Sequence, residues 1–175
     1  MSERFYHIFE TQFGWMGLLS SENGLLRSTL PEDSELECVS RLGLESSDAT
    51  PDPGRFGNLR ERLVGYFDGA DIEFGDIALD LDGAPDFHRK AWQACRTSPR
   101  GETRTYKWLA KMAGSPNAPR AAGQTMARNR IPIIVPCHRV VGSDGSLRGF
   151  GSGDTRIDLK FRLLELEGAK QRRLI

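Results

Sequence analysis

Residues 102–128 read ETRTYKWLAKMAGSPNAPRAAGQTMAR, two short helical segments about a tight turn. Glu102-Thr103-Arg104-Thr105 offers N-cap oxygens to a helix from Tyr106 to Ala113, which Gly114 ends. After the turn Ser115-Pro116, Asn117 is placed to cap a second helix from Ala118 to about Arg128, with Pro119 tolerated in its first turn. Such a pair is the pattern of a helix-turn-helix. The second helix carries Ala118, Ala121, Ala122 and Gly123 around Arg120. Small side chains let a helix backbone approach a groove wall, and an arginine on that face can reach into a base stack. Gly123 reads more simply as a residue for close packing inside the protein.

Working outward, the charge around this stretch is one-sided. Residues 87–150 carry 12 Lys and Arg against 2 Asp and Glu, whereas residues 1–86 carry 6 against 18, so a formal net charge of zero conceals an acidic half and a basic block. A basic block suits a polyanion, because phosphate neutralisation with counterion release supplies most non-specific nucleic-acid affinity. The alternative is that the two halves complement each other internally. Charge alone does not decide between them.

Composition narrows the class. With 175 residues, 38% hydrophobic and 27% charged, the chain suffices for one globular unit or two small ones. No stretch approaches the roughly 18–20 apolar residues of a membrane span, and no signal-peptide core follows Met1, so a cytoplasmic location without a membrane is expected. Cys38, Cys95 and Cys137 are too few for a disulfide framework and form no Cys-x-x-Cys pair, so reduced thiols and no structural zinc are expected.

Before the basic block the first thirty residues read as strands, Phe5–Thr11, Gly14–Ser20 and Leu25–Leu30, with a hairpin turn at Asn23-Gly24. A helix is expected over Asp33–Leu42, a loop over Ser46–Gly54, a second helix over Asn58–Asp68 from the spacing of Leu59, Leu63 and Phe67, and a strand over Ile77–Leu81. A domain boundary is expected near Asp82–Pro85, dividing the chain into residues 1–84 and 85–175. Phe87, Ala91, Trp92 and Cys95 then share one helix face, which makes Cys95 a core residue.

Beyond the helix pair the apolar run Ile131-Pro132-Ile133-Ile134-Val135 reads as a buried strand, and Pro136-Cys137-His138-Arg139-Val140 follows it. A cysteine reacts as thiolate, and an adjacent base or cation lowers its pKa. Cys137 is therefore either a nucleophile or an inert core thiol. A papain-like hydrolase would need an oxyanion hole and usually a distant histidine, and a metal site at Cys137 and His138 lacks further ligands at sensible spacing.

Taken together, Pro136-Cys137-His138-Arg139-Val140, Asn129 with the apolar run, Gly101-Glu102-Thr103 followed by Tyr106, and Arg120-Ala121 resemble the O6-alkylguanine-DNA alkyltransferases, from about Phe87 to Gly168. The first half resembles the family more loosely, through Phe13–Leu19 and Gly24-Leu25-Leu26. The resemblance implies an α+β fold: a small α/β N-terminal domain, RNase H-like with an antiparallel sheet, and a mainly helical C-terminal domain with a winged-helix-like helix-turn-helix. It implies a monomer that needs no cofactor and binds double-stranded DNA containing O6-alkylguanine, rotates the damaged base out, and moves the alkyl group permanently to Cys137. O4 of thymine is a possible second substrate.

By the same resemblance His138 acts on Cys137 through a water, oriented by the carboxylate of Leu163-Leu164-Glu165-Leu166-Glu167, with Glu167 chosen and Glu165 the alternative. Asn129 braces the site loop and Tyr106 donates to the flipped guanine. Arg120 fills the vacated space, with Ala118, Ala121, Thr105 and Arg128 also facing DNA. Val140, Phe150, Gly151, Ser152 and Pro132 line the substrate pocket, the carbonyls of Cys137 and Val140 facing the guanine amine and the Gly151 N–H facing O6. Three features depart from the family pattern: Arg130 where proline is usual, Phe150 for a common tyrosine, and about three extra residues between Gly153 and Leu163. The rival class is a non-enzymatic helix-turn-helix lesion sensor; family members that only bind lack the reactive cysteine, which is present here as Cys137.

Overall fold

The computed structural model describes residues 2–46, 48–147, 150 and 156–169. Its chain is mixed α+β and divides into two compact units. One holds the chain to Asp82 together with Arg130–Ile134, and the other holds Gly83–Asn129 with the chain from Val135. The single crossing expected near residues 82–85 is thus joined by a second excursion of five residues into the first unit.

In the first unit, β1 (Arg4–Thr11) and β2 (Gly14–Ser21) form a hairpin in register from Arg4 opposite Ser21 to Thr11 opposite Gly14. Gly14 is required at the turn. Its φ is 132°, and a Cβ there would stand 2.6 Å from the Glu32 carbonyl oxygen. β3 (Leu25–Ser28) pairs antiparallel with β2 and ends two residues earlier than expected. β4 (Thr50–Pro51), inside the expected loop, joins β1 in parallel, so the sheet order β3-β2-β1-β4 is not wholly antiparallel.

Two helices complete this unit. α1 (Glu35–Leu42) starts at Ser34, whose hydroxyl accepts from Glu37 N at 3.2 Å, and ends at Gly43 in the left-handed conformation. α2 (Gly57–Phe67) buries Leu59, Leu63, Tyr66 and Phe67, and the rings of Phe67 and Phe74 meet Tyr66 edge-on. The strand expected over 77–81 reduces to one parallel bridge between Leu25 and Leu79.

The strand expected over Ile131–Val135 is not formed. Pro132 and Pro136 remove two amide donors, and the carbonyls of Arg130 and Pro132 are taken by Ser28, from its N–H at 3.1 Å and its Oγ at 2.7 Å. The chain turns instead, with Ile133 at φ 73° and buried. A β-branched residue in that region stores about 1–3 kcal/mol that its surroundings must hold in place.

The second unit is mainly helical. α3 (Asp86–Cys95) buries Ala91, Trp92, Ala94 and Cys95, and its Trp92 indole donates to the Thr125 carbonyl at 3.0 Å. α4 (Tyr106–Met112) and α5 (Pro119–Ala127) pack on each other and on α3. Thr105 caps α4, accepting from Trp108 N at 3.0 Å. The N-cap position of α5 is Ala118 rather than Asn117, without a side-chain cap. A short parallel pair, β5 (Arg104–Thr105) and β6 (Val140–Val141), ties the start of α4 to the segment after the cysteine. α6 (Ile157–Leu166) closes the described chain.

Candidate active site

Cys137 begins a single 3-10 turn, Cys137–Arg139, between Pro136 and β6. Its N–H donates to the Val135 carbonyl at 2.8 Å, and the residue is only 6% exposed. Asn129, just past α5, donates from Nδ2 to the same Val135 carbonyl at 2.9 Å. The end of the second helix of the pair is thereby fastened to the turn that carries the thiol.

The turn aims His138 and Arg139 at the C-terminus of α6. His138 Nε2 lies 2.6 Å from Glu167 Oε1. Arg139 donates from Nη2 to Oε1 at 2.9 Å and from Nε to Oε2 at 3.0 Å, and its Nη1 reaches the Ser98 carbonyl at 2.6 Å. All three side chains are buried. An isolated buried carboxylate would be strongly destabilising, and the guanidinium with its bidentate hydrogen bonds is what makes this one tolerable.

Electrostatics follow from this packing. Burial pushes the Glu167 carboxyl upward, but the hydrogen bonds from His138 and Arg139 and the charge of the Arg139 guanidinium outweigh it and hold the group well below its ordinary range. Burial pushes His138 below its ordinary value, more than the Glu167 carboxylate restores. A neutral imidazole beside an anion that only accepts must carry its proton on Nε2. Nδ1 then presents a lone pair, and among the described residues it has no hydrogen-bond partner. Burial also pushes the Cys137 thiol up, against a hydrogen bond from Asn129 and the charge of Lys160, so the resting sulfur is protonated.

Lys160 is fully buried on α6, seven residues before Glu167 and so on the same helix face. Its Nζ donates to the Val140 carbonyl at 2.6 Å and lies 3.4 Å from the Tyr106 hydroxyl. The same ammonium stands 5.7 Å from the Tyr106 ring centroid and 5.9 Å from that of Phe150.

Residues 86–169 match the family model described as 6-O-methylguanine DNA methyltransferase, DNA binding domain. The methylated-DNA–protein-cysteine methyltransferase of Methanosarcina acetivorans is 37% identical over 165 residues, covering 94% of this chain and 99% of that protein. This chain belongs to that family. The Mycobacterium bovis protein of the same name is 48% identical over 121 residues, 69% of this chain and 70% of that one. Among solved structures, Mycobacterium tuberculosis OGT in complex with DNA gives a TM-score of 0.76 at 38% identity, covering 93% of this chain and 92% of that one. The O6-methylguanine-DNA methyltransferase of the hyperthermophilic archaeon Pyrococcus kodakaraensis gives 0.63 at 28% identity, with coverage of 95% and 99%.

The residues expected from the sequence fall into groups. Asn129 and Cys137 meet at the Val135 carbonyl, His138 pairs with Glu167, and Tyr106 is joined to Val140 and Phe150 through Lys160. Glu165 is exposed, so Glu167 is the carboxylate that meets His138. Arg120 and Arg128 are exposed on and just after α5, while Ala118, Ala121 and Thr105 are half-buried. Gly123 lies under the Tyr106 ring, where a Cβ would stand 3.7 Å from it, in keeping with a packing role. Pro132 belongs to the first unit, its carbonyl engaged by Ser28. Gly151 and Ser152 lie outside the described residues. Cys95 is fully buried, and burial raises its thiol well above the ordinary value.

Sequence reading missed Arg139 and Lys160. The signal for Arg139 was available: a glutamate placed behind a buried histidine requires a cation, and Arg139 is the adjacent one. Lys160 fell in the stretch whose length departs from the family pattern, and a lysine on a helix is ordinarily read as solvent-facing.

Proposed function

We propose that the protein repairs DNA directly, moving an alkyl group from O6 of a flipped guanine in duplex DNA to Cys137 in one irreversible turnover. The observation that carries this is the buried chain from Glu167 through His138 beside a buried Cys137, on the turn fastened to α5 by Asn129. The thiol proton passes through a water to Nδ1 of His138, whose imidazolium Glu167 stabilises. Sulfur then attacks the alkyl carbon: the S–C bond forms and the C–O6 bond breaks. The electrons released onto the purine are balanced by a proton donated from the Tyr106 hydroxyl, which lies 3.4 Å from the Lys160 ammonium. A thioether has no easy reversal, so each chain acts once.

Because the resting thiol is protonated and almost covered, only a base brought to it should react. That requires flipping, which costs a few kcal/mol and least where the lesion has weakened pairing. Arg120 at the start of α5 fills the space left behind, and Ala118, Ala121, Thr105 and Arg128 follow the duplex. Val140 and Phe150 bound the pocket. The fold reading attached to this function is an RNase H-like first domain and a winged-helix-like second domain, acting as a cytoplasmic monomer without cofactor.

The test is incubation with duplex DNA bearing labelled O6-methylguanine, followed by mass spectrometry of the Cys137 peptide. One methyl group per chain and no turnover is the expected result. Binding without an adduct would replace the proposal with the lesion-sensor reading, and repeated turnover would defeat both.

A further inference from the structure

The geometry points to Ser28 as a positioning residue for the transfer, acting from β3 through the Arg130–Ile134 turn on the placement of Cys137. Three observations combine. Ser28 is buried and holds that turn twice, by its N–H to the Arg130 carbonyl at 3.1 Å and by its Oγ to the Pro132 carbonyl at 2.7 Å. Between the tethered Pro132 and the thiol, Ile133 occupies φ 73°, a conformation a β-branched residue leaves unless it is held. The turn's two flanks, Asn129 and Val135, are pinned to each other by the 2.9 Å side-chain hydrogen bond, and the Val135 carbonyl also receives the Cys137 N–H at 2.8 Å.

Releasing the Pro132 carbonyl therefore frees Ile133 to relax. Along the chain toward the nucleophile, that rotation passes through Ile134 and Val135 to the carbonyl that receives the Cys137 N–H. Ser28 touches neither substrate nor sulfur. Its hydroxyl fixes a backbone angle four residues before the nucleophile, and small displacements of a reacting atom slow chemistry far more than they loosen a fold.

This inference rests on the alkyl-transfer reading, and a one-turnover protein makes it separable from mere stability. The amplitude of a single-turnover reaction counts folded chains, whereas its first-order constant at saturating substrate reads the placement of sulfur. With O6-methylguanine duplex as substrate, Ser28→Ala is expected to keep an amplitude near one per folded chain and to lower the constant about tenfold. Ser28→Thr, which retains the hydroxyl, is expected to restore most of the rate. Ser28→Cys, a weaker and longer donor, is expected to fall between and gives the answer if the alanine variant fails to fold. Constants for Ala or Cys equal to wild type, whatever the amplitudes, would overturn the inference. Absence of transfer by the wild-type protein would instead remove the reading beneath it.

Discussion

Glu167→Gln is the most informative single change. The side chain keeps its shape and one carbonyl oxygen, but the buried negative charge that accepts from His138 at 2.6 Å and from Arg139 at 2.9 and 3.0 Å is gone. Breaking a buried ion pair by removing one partner destabilises by about 3–5 kcal/mol, because the other charge stays buried without compensation. The retained oxygen places this variant near the lower figure, about 3 kcal/mol. For a chain of this size that lowers Tm by roughly 6–12 °C. Acidification adds a second readout. The folded-state pKa of Glu167 lies below its unfolded value, so its contribution is present above the unfolded carboxylate range near 4.3 and is lost as pH falls through the folded value. Thermal melts from pH 7 down to the acid limit should therefore converge for wild type and variant as pH drops. A variant with Tm within 2 °C of wild type at pH 7, or a gap independent of pH, would refute the account of this network. The transfer constant should fall as well, because His138 loses the anion that stabilises its charged form.

Other expectations follow from the same geometry. Burial holds His138 below its ordinary pKa of 6.5, so the transfer constant should stay flat through neutral pH and decline only in more acidic buffer as Nδ1 takes a proton; a decline beginning above pH 7 would contradict a neutral resting imidazole. Cys137→Ser should bind O6-methylguanine duplex in a gel-shift assay and acquire no methyl group by mass spectrometry. Arg120→Ala should slow repair of duplex DNA about tenfold or more, part of the few kcal/mol that unstacking requires, with the final amplitude still one methyl group per chain; undiminished duplex repair would remove the wedge role. DNA affinity should fall steeply with salt, and Arg128→Gln should reduce the log–log slope by about 1 if Arg128 neutralises a phosphate.

What the sequence made legible is uneven, for physical reasons. Helical stretches were readable to within a residue or two, as in α1, expected from Asp33 and found from Glu35, and α4, expected to Ala113 and found to Met112. The run Ile131–Val135 misled because apolar content marks burial rather than backbone shape. Pro132 within it, Pro136 just after it and the demands of Ser28, roughly a hundred residues away, decide the turn. β4, β5 and β6 are two residues each, too short to leave a periodic signal. In the site, Cys137, His138 and Asn129 were visible because they are close in sequence, and Glu167 because the family pattern names it. Arg139 and Lys160 act by being buried cations, and burial of a charge is a property of the assembled fold.

The tether between Ser28 and Pro132 also bears on how the molecule is made. β3 is an edge strand, and Ala78, Asp80 and Arg130 cover its outer rim through hydrogen bonds to Leu25 and Ser28. The last of that cover, Arg130, lies 102 residues downstream of Ser28. At synthesis rates of about 5–20 residues per second, the nascent sheet waits roughly 5–20 s with part of a strand edge open. Birth of the first unit is therefore unfinished until three-quarters of the chain exists, and the interval is a window for mispairing that a chaperone, or a slow ribosome, would either guard or widen.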